Sequence, residues 1–372
     1  MKPRARDLNI RIGQLQPGPL NAITDVPGVR VGHSNVRGRS AAGCDICTGV
    51  TVIEPRRGST NQQPCFAGVH VLNGNGDATG LEWIREAGLL TSPIAFTNTH
   101  SLGVVRDALI ALDRQQQPDD GRLYWNMPVV LETFDGLLND INGFHVKPEH
   151  VAEALDSAHD GAVEEGAVGG GSGMICHEFK GGIGSASRRL SSAQGGWTVG
   201  AIVQANHGIR SELRVDGYPV GRYMEQVDSP FLRASLPHPG MGSIVVCLAT
   251  DAPLLPHQCT RLAQRASLGL ARSGGGNEDH SGDIFIAFAT GNEQVPPAAY
   301  EGKGAPTCDG LRMVNNDHIS ELFLAATEAV EEAIINALLA SESTEGNGHA
   351  VPGLDKETLL AALARAGWPG SR

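Results

Sequence analysis

The chain has 372 residues, room for one large or two medium domains, and 48 of them are glycine, well above the usual share of about 7%. Only 19% of residues are charged and the formal net charge is -12, which argues against a disordered chain and against a basic nucleic-acid binder. No run of about 18 apolar residues marks a membrane span, the first residues hold no apolar signal core, and seven scattered cysteines fit reduced thiols in a cytoplasm better than a disulfide framework.

In chain order, Pro and Gly punctuate short β-branched runs in NAITDVPGVRVGH (21–33), as in hairpins and loops. Strands are expected at 48–55 (TGVTVIEP) and 66–73 (FAGVHVLN), followed by a glycine-rich loop, NGNGDATG (73–80). Residues 81–90 read as a helix with Gly88 near its end. A strand at 93–100 runs into polar residues, and 101–115 has helical apolar spacing. MPVVLETFDG (127–136) begins as a buried strand, and 148–158 is a helix with Pro in its first turn.

Glycines are densest over 166–190, and 197–208 is a strand ending in Asn206, His207 and Gly208. Residues 209–240 show no period and read as a long loop, a length unusual inside a compact domain unless it has a function. The strand SIVVCLAT (243–250) follows at once. A helix over 259–274, a strand over 283–290, a long amphipathic helix over 319–341 with Asp317 as its N-cap, and a last helix over 354–367 complete the chain. Strand runs mixed with strand–helix–strand units predict a layered α/β fold, with no boundary separating two domains.

Several polar residues interrupt these apolar strands where chemistry could use them. Ser243 opens a buried strand directly after the long loop. Serine needs a base to act as a nucleophile. Its own α-amine, with a reference pKa near 7.7–8.0, could supply one if the Gly242–Ser243 bond were cut by an N→O acyl shift. Glycine before the cut would tolerate a strained backbone. Equally, Gly-Ser is a common turn dipeptide.

Ser281 and Asp283, spaced by two in HSGDIF, could share one side and relay protons, or simply form a turn. The Asn206 amide could stabilise an oxyanion, with His207 beside it a possible base. Glu132 could bind a substrate ammonium group or be a solvated strand-end acid. Cys44 and Cys47 form C-x-x-C, but no second pair completes a zinc set. No phosphate-binding P-loop, dinucleotide fingerprint or H-E-x-x-H motif is present.

Together these blocks resemble the DmpA/BapA family of L-aminopeptidase/D-amidase-esterases and β-peptidyl aminopeptidases. The resemblance runs through NAITDVPGVRVGH, NGNGDATGLEWIREAGLL, PIAFTNTHSLGVV, ETFDGLLNDINGFHV, FKGGIGSASR, VQANHG, PGMGSIVVCLATDAPL and HSGDIFIAFAT, in that order. It implies a four-layer αββα sandwich similar to N-terminal-nucleophile hydrolases and to ornithine acetyltransferases. It implies one αββα domain over 1–372, cut into chains 1–242 and 243–372, with Ser243 as nucleophile, Ser281 and an acidic residue (Asp283 here, Glu in some members) as its partners, Asn206 at the oxyanion and Glu132 on the substrate amine. It further implies a homotetramer acting on small peptides, amides or esters, without metal or organic cofactor.

Phe134 stands where family members commonly carry Tyr, so a hydroxyl near the oxyanion is absent. Two other readings compete. An acyltransferase of the ornithine-acetyltransferase type would use Thr as nucleophile, against which Ser243 and HSGD speak. A ligand-binding homologue without activity is the other.

Overall fold

The computed structural model describes residues 2–117, 123–231, 242–297 and 308–370. Fourteen strands occur among them: β1 (Arg30–Arg39), β2 (Asp45–Glu54), β3 (Cys65–Gly74), β4 (Leu89–Leu90), β5 (Ile94–Asn98), β6 (Val129–Thr133), β7 (Ile175–Cys176), β8 (Phe179–Lys180), β9 (Gly182–Arg189), β10 (Thr198–Asn206), β11 (Gly242–Thr250), β12 (Ser281–Ala289), β13 (Thr344–Gly346) and β14 (His349–Val351). The helices are α1 (Leu81–Ala87), α2 (Leu102–Gln116), α3 (Pro148–Asp156), α4 (Pro256–Ala263), α5 (Ala266–Ser273), α6 (Ser320–Ala340) and α7 (Lys356–Arg365).

Two sheets dominate. One has the order β1-β2-β5-β6, the other β4-β3-β12-β11-β10-β9. In the larger sheet β11 and β12 run parallel side by side, flanked by antiparallel β10 and β3.

The period-two alternation of β11 assigns its two faces. Ile244, Val246 and Leu248 pack with residues of α4, α5 and α6, whereas Val245, Cys247 and Ala249 join Ile53, Phe96 and Leu131 of the smaller sheet. That sheet's outer face, including Val50, Val52 and Val130, packs on α2 and α3. The order helix–sheet–sheet–helix is the expected αββα sandwich, each sheet burying both faces.

Four local departures from the sequence reading have physical causes. The helix at 81–90 stops at Gly88, whose φ of 71° caps it, and Leu89–Leu90 then pair with β3. The helix expected over 259–274 is two: α4 sits on β3, where a Cβ on Gly68 would lie 2.1 Å from Thr260 N, and α5 sits on α6, where a Cβ on Gly269 would lie 2.7 Å from Thr327 O. The side chain of Asn315, not Asp317, caps the turn that leads into α6. The described part of the 209–240 loop buries Leu213, Val215, Val220 and Met224 against the helix-side core through two short 3₁₀ turns, which have no strand or α-helix period to read; residues 232–240 lie outside the described residues.

Helix α6 reads as amphipathic, yet Glu328, Glu331 and Glu332 are buried. Arg188 of β9, fully buried, explains two of them: its Nε donates to Glu328 (3.0 Å) and an Nη to Glu332 (2.7 Å), while Arg6 adds a second cation to Glu332 (2.9 Å). Buried charges persist when paired in this way.

Candidate active site

Ser243 and Asn206 face each other directly in the antiparallel pair β10–β11. By the same alternation both point to the inter-sheet side, and both are almost fully buried. The Ser243 Oγ donates to the carbonyl oxygen of Gly242 at 2.6 Å. The same Oγ accepts from the backbone N–H of Gly282 at 3.2 Å. Gly282 lies opposite Ser243 in the parallel pair β11–β12. A backbone donor of this kind leaves no mark in a sequence, beyond being the small residue between Ser281 and Asp283.

The Asn206 amide is held at both ends. Its Oδ1 accepts from Ile175 N–H (2.7 Å) and its Nδ2 donates to the carbonyl of Phe134 (2.9 Å). Fixing the oxygen fixes which way the NH₂ points. Phe134 itself is half-exposed, its ring lying over Gly136.

Ser281 and Asp283 do share a side: Ser281 Oγ donates to Asp283 Oδ1 at 2.6 Å, so the shorter acid reaches its partner. Burial pushes the Asp283 carboxyl up to about 6, with the Ser281 hydrogen bond opposing and the charge of Glu278 adding. The pair occupies the opposite pleat from Ser243, beside the strand backbone at residues 242–244, and among the described residues no hydrogen bond joins it to Ser243 Oγ.

Glu132 lies inside β6 and is buried, not solvated at a strand end. One carboxylate oxygen accepts from Asp77 N–H (2.8 Å) and the other from the Thr99 hydroxyl. Burial raises its pKa, the two hydrogen bonds opposing. Gly76 separates it from the β11–β12 pair: a Cβ there would sit 3.2 Å from Glu132 Oε1 and 3.3 Å from Gly282 Cα. Glu132, Asn206, Ser243 and the Ser281–Asp283 pair are therefore assembled at one end of the two sheets.

His207 is not with them. Its ring packs edge-on to His177 at 5.2 Å, and its Nδ1 lies 3.8 Å from Cys176 Sγ. Burial and His177 hold it neutral, far below its usual range. Cys176, His177 and His207 offer three ligand atoms within 4.8 Å of one another. The ammonium of Lys180 close by opposes a further cation there. Cys44 and Cys47 are both free thiols.

Residues 21–351 match peptidase family S58. The chain belongs to that family. As an S58 member it is 44% identical to "Beta-peptidyl aminopeptidase BapA" of Sphingosinicella microcystinivorans, over 98% of this chain and 92% of that one. A solved Burkholderia sp. beta-aminopeptidase shares 65% identity, with a TM-score of 0.93 over 98% of this chain and 99% of that one. The L-aminopeptidase D-Ala-esterase/amidase of Ochrobactrum anthropi, described as a variant of the N-terminal-nucleophile hydrolase fold, shares 43% identity at a TM-score of 0.88, covering 98% and 99%. This S58 protein is an aminopeptidase, and its substrates are peptides. The acyltransferase reading is not favoured. Among the described residues no helix is long and apolar enough to cross a membrane.

Proposed function

We propose that this chain cuts its own Gly242–Ser243 bond and then works as a serine aminopeptidase with Ser243 at the new N-terminus. The observation carrying the proposal is the Ser243 hydroxyl, hydrogen-bonded to the carbonyl it would attack and lying opposite the Asn206 amide. Oγ adds to the Gly242 carbonyl carbon, the C–N bond breaks, and the nitrogen takes the proton, leaving Gly242 as an ester on Ser243. Water hydrolyses that ester, giving a Gly242 carboxylate and a free Ser243 with an α-amine.

In turnover, Glu132 grips the ammonium group of the substrate and Ser243 attacks the carbonyl of its N-terminal residue. The Asn206 Nδ2–H and the Gly282 N–H stabilise the oxyanion. The leaving amine departs with a proton, and water releases the acyl group. The Ser281–Asp283 pair sits beside the backbone nitrogen that the cut would free, so it serves that amine rather than the hydroxyl. Phe134 borders the substrate. Small N-terminal residues, β-amino acids among them, are the substrate class that the similar β-aminopeptidases suggest. The family resemblance suggests a homotetramer without a metal or organic cofactor, and the seven scattered cysteines suggest a reducing, cytoplasmic setting.

Denaturing mass spectrometry on the purified protein tests the cut: fragments ending at Gly242 and beginning at Ser243 are expected. Replacing Ser243 with Ala should abolish both the cut and hydrolysis of β-alanyl p-nitroanilide. A fully active, uncut protein would overturn the reading.

A further inference from the structure

Lys180, at the end of β8, is completely buried, and among the described residues no carboxylate hydrogen-bonds its ammonium. Its Nζ donates instead to three main-chain carbonyls: Gly181 at 2.7 Å, Met174 at 2.9 Å and Gly171 at 3.2 Å. A buried cation is costly, so a lysine held by neutral carbonyls calls for a reason beyond packing. Burial pushes its pKa down to about 7, with Cys47, Asp135 and Cys176 opposing and Arg37 adding.

The reason lies in the second of those bonds. The Met174 carbonyl and the Ile175 N–H are the two ends of a single peptide group. One end receives the Lys180 ammonium, and the other donates to Asn206 Oδ1 at 2.7 Å. A charge placed on the carbonyl of a peptide strengthens its N–H as a donor, and an amide whose oxygen accepts a strong bond becomes a stronger donor at its nitrogen. The line of contacts therefore runs from a buried cation, through one peptide, to the side-chain amide of Asn206, the residue opposite Ser243 in the β10–β11 pair.

We propose that Lys180 is a positioning residue for catalysis: through the Met174–Ile175 peptide its ammonium fixes and polarises the Asn206 amide, making it a better oxyanion donor. This rests on the reading of Asn206 and Ser243 given above. No proton or bond is transferred along the line; only the donor strength and orientation of Asn206 change. Ground-state binding of the substrate amine, which uses Glu132, is outside it.

The test compares Lys180→Met with wild type, kinetics being counted per molecule cut after Gly242. An aminoalkyl boronic acid, which forms a tetrahedral adduct with serine, probes the oxyanion donors. The product amino acid probes the amine site. The expected result is a fall of about tenfold in kcat and in boronic-acid affinity together, with KM and product affinity unchanged within about twofold. Lys180→Arg, which keeps the charge, should restore most of kcat. Lys180→Gln, a donor without charge, takes the place of Lys180→Met if that variant does not fold. Unchanged kcat, or product affinity falling as steeply as boronic-acid affinity, overturns the proposal. Failure of the boronic acid to bind wild type through Ser243 would instead overturn the underlying reading of the nucleophile.

Discussion

Gly242 rests its α-carbon against the carbonyl of Asn206: a Cβ added there would lie 1.8 Å from that oxygen. Its φ is not among the positive ones. Close approach of two strands, not backbone strain, thus requires glycine before Ser243, which replaces the reason the sequence alone offered. Any side chain at 242 would push β11 from β10 and carry Ser243 away from Asn206. Gly242→Ala should accordingly slow self-cleavage. Overpacking costs about 1–3 kcal/mol, so a slowing of roughly ten- to a hundredfold is expected. A time course of intact mass after purification measures it, and cleavage at the wild-type rate would refute the argument.

The acid limb of the pH profile should belong to Asp283. Its carboxyl titrates near 6 because it is buried. An acid must be ionised to accept the Ser281 proton, so kcat/KM should climb as pH rises through about 6 and fall away below it. The charge of Glu278 adds to that upward shift. Glu278→Gln should therefore move the limb to lower pH, as read from kcat/KM between pH 4.5 and 8. A limb that stays in place, or moves up, counts against Asp283.

Glu132→Gln keeps an acceptor for Asp77 N–H but removes the negative charge. Losing the charged partner of a buried ammonium costs about 2–5 kcal/mol. A fall in kcat/KM of at least about thirtyfold is expected, carried mainly by KM. Self-cleavage involves no substrate amine and should proceed normally. A variant that fails to cut, or one that is cut normally and keeps its KM, would show that Glu132 acts elsewhere.

Stability should respond to the ion cluster on α6. Glu332→Ala deprives Arg188 and Arg6 of a shared partner, although Glu328 still pairs with Arg188. The cost should be near the low end for a broken buried pair, about 3 kcal/mol, measured by denaturant unfolding of the uncut Ser243→Ala protein. Burial opposes ionisation of Glu332, but Arg188 and Arg6 prevail and hold its carboxyl below the usual range. Its contribution is therefore present above the ordinary carboxylate pKa and is lost as pH falls through the lowered one. The variant and its parent should converge in acid.

The layers and the main polar residues of the site were legible because they break strong patterns. Ser243, Asn206 and Asp283 are polar residues at the ends of dense apolar strands, and the family resemblance supplied their grouping. The pairing was not legible. Nothing local says that Asn206 lies opposite Ser243, since that depends on how β10 and β11 set their register across the intervening loop. Backbone donors such as Gly282 N–H and Ile175 N–H have no side-chain signature. Lys180 was hidden in a glycine-rich stretch where a lone lysine reads as surface. His207, next to Asn206, was misleading because one step along a strand end turns a side chain to the other face.

The interleaving of the larger sheet bears on what the cut would do to folding. Strand β12 and all of β11 but its first residue, Gly242, come from the segment after the cut, and they lie between β10 and β3 from the segment before it. Severing the bond leaves every rung of that ladder in place, so the two pieces cannot part without tearing the sheet apart. Once torn apart they are separate molecules that must find each other again. Assembly before the cut is a first-order event independent of concentration, whereas after it the return is second-order. The cut protein would thus work as a folding ratchet: it reaches its shape as one chain and persists because its exit is slow, with durability set by the rate of unfolding more than by a reversible balance.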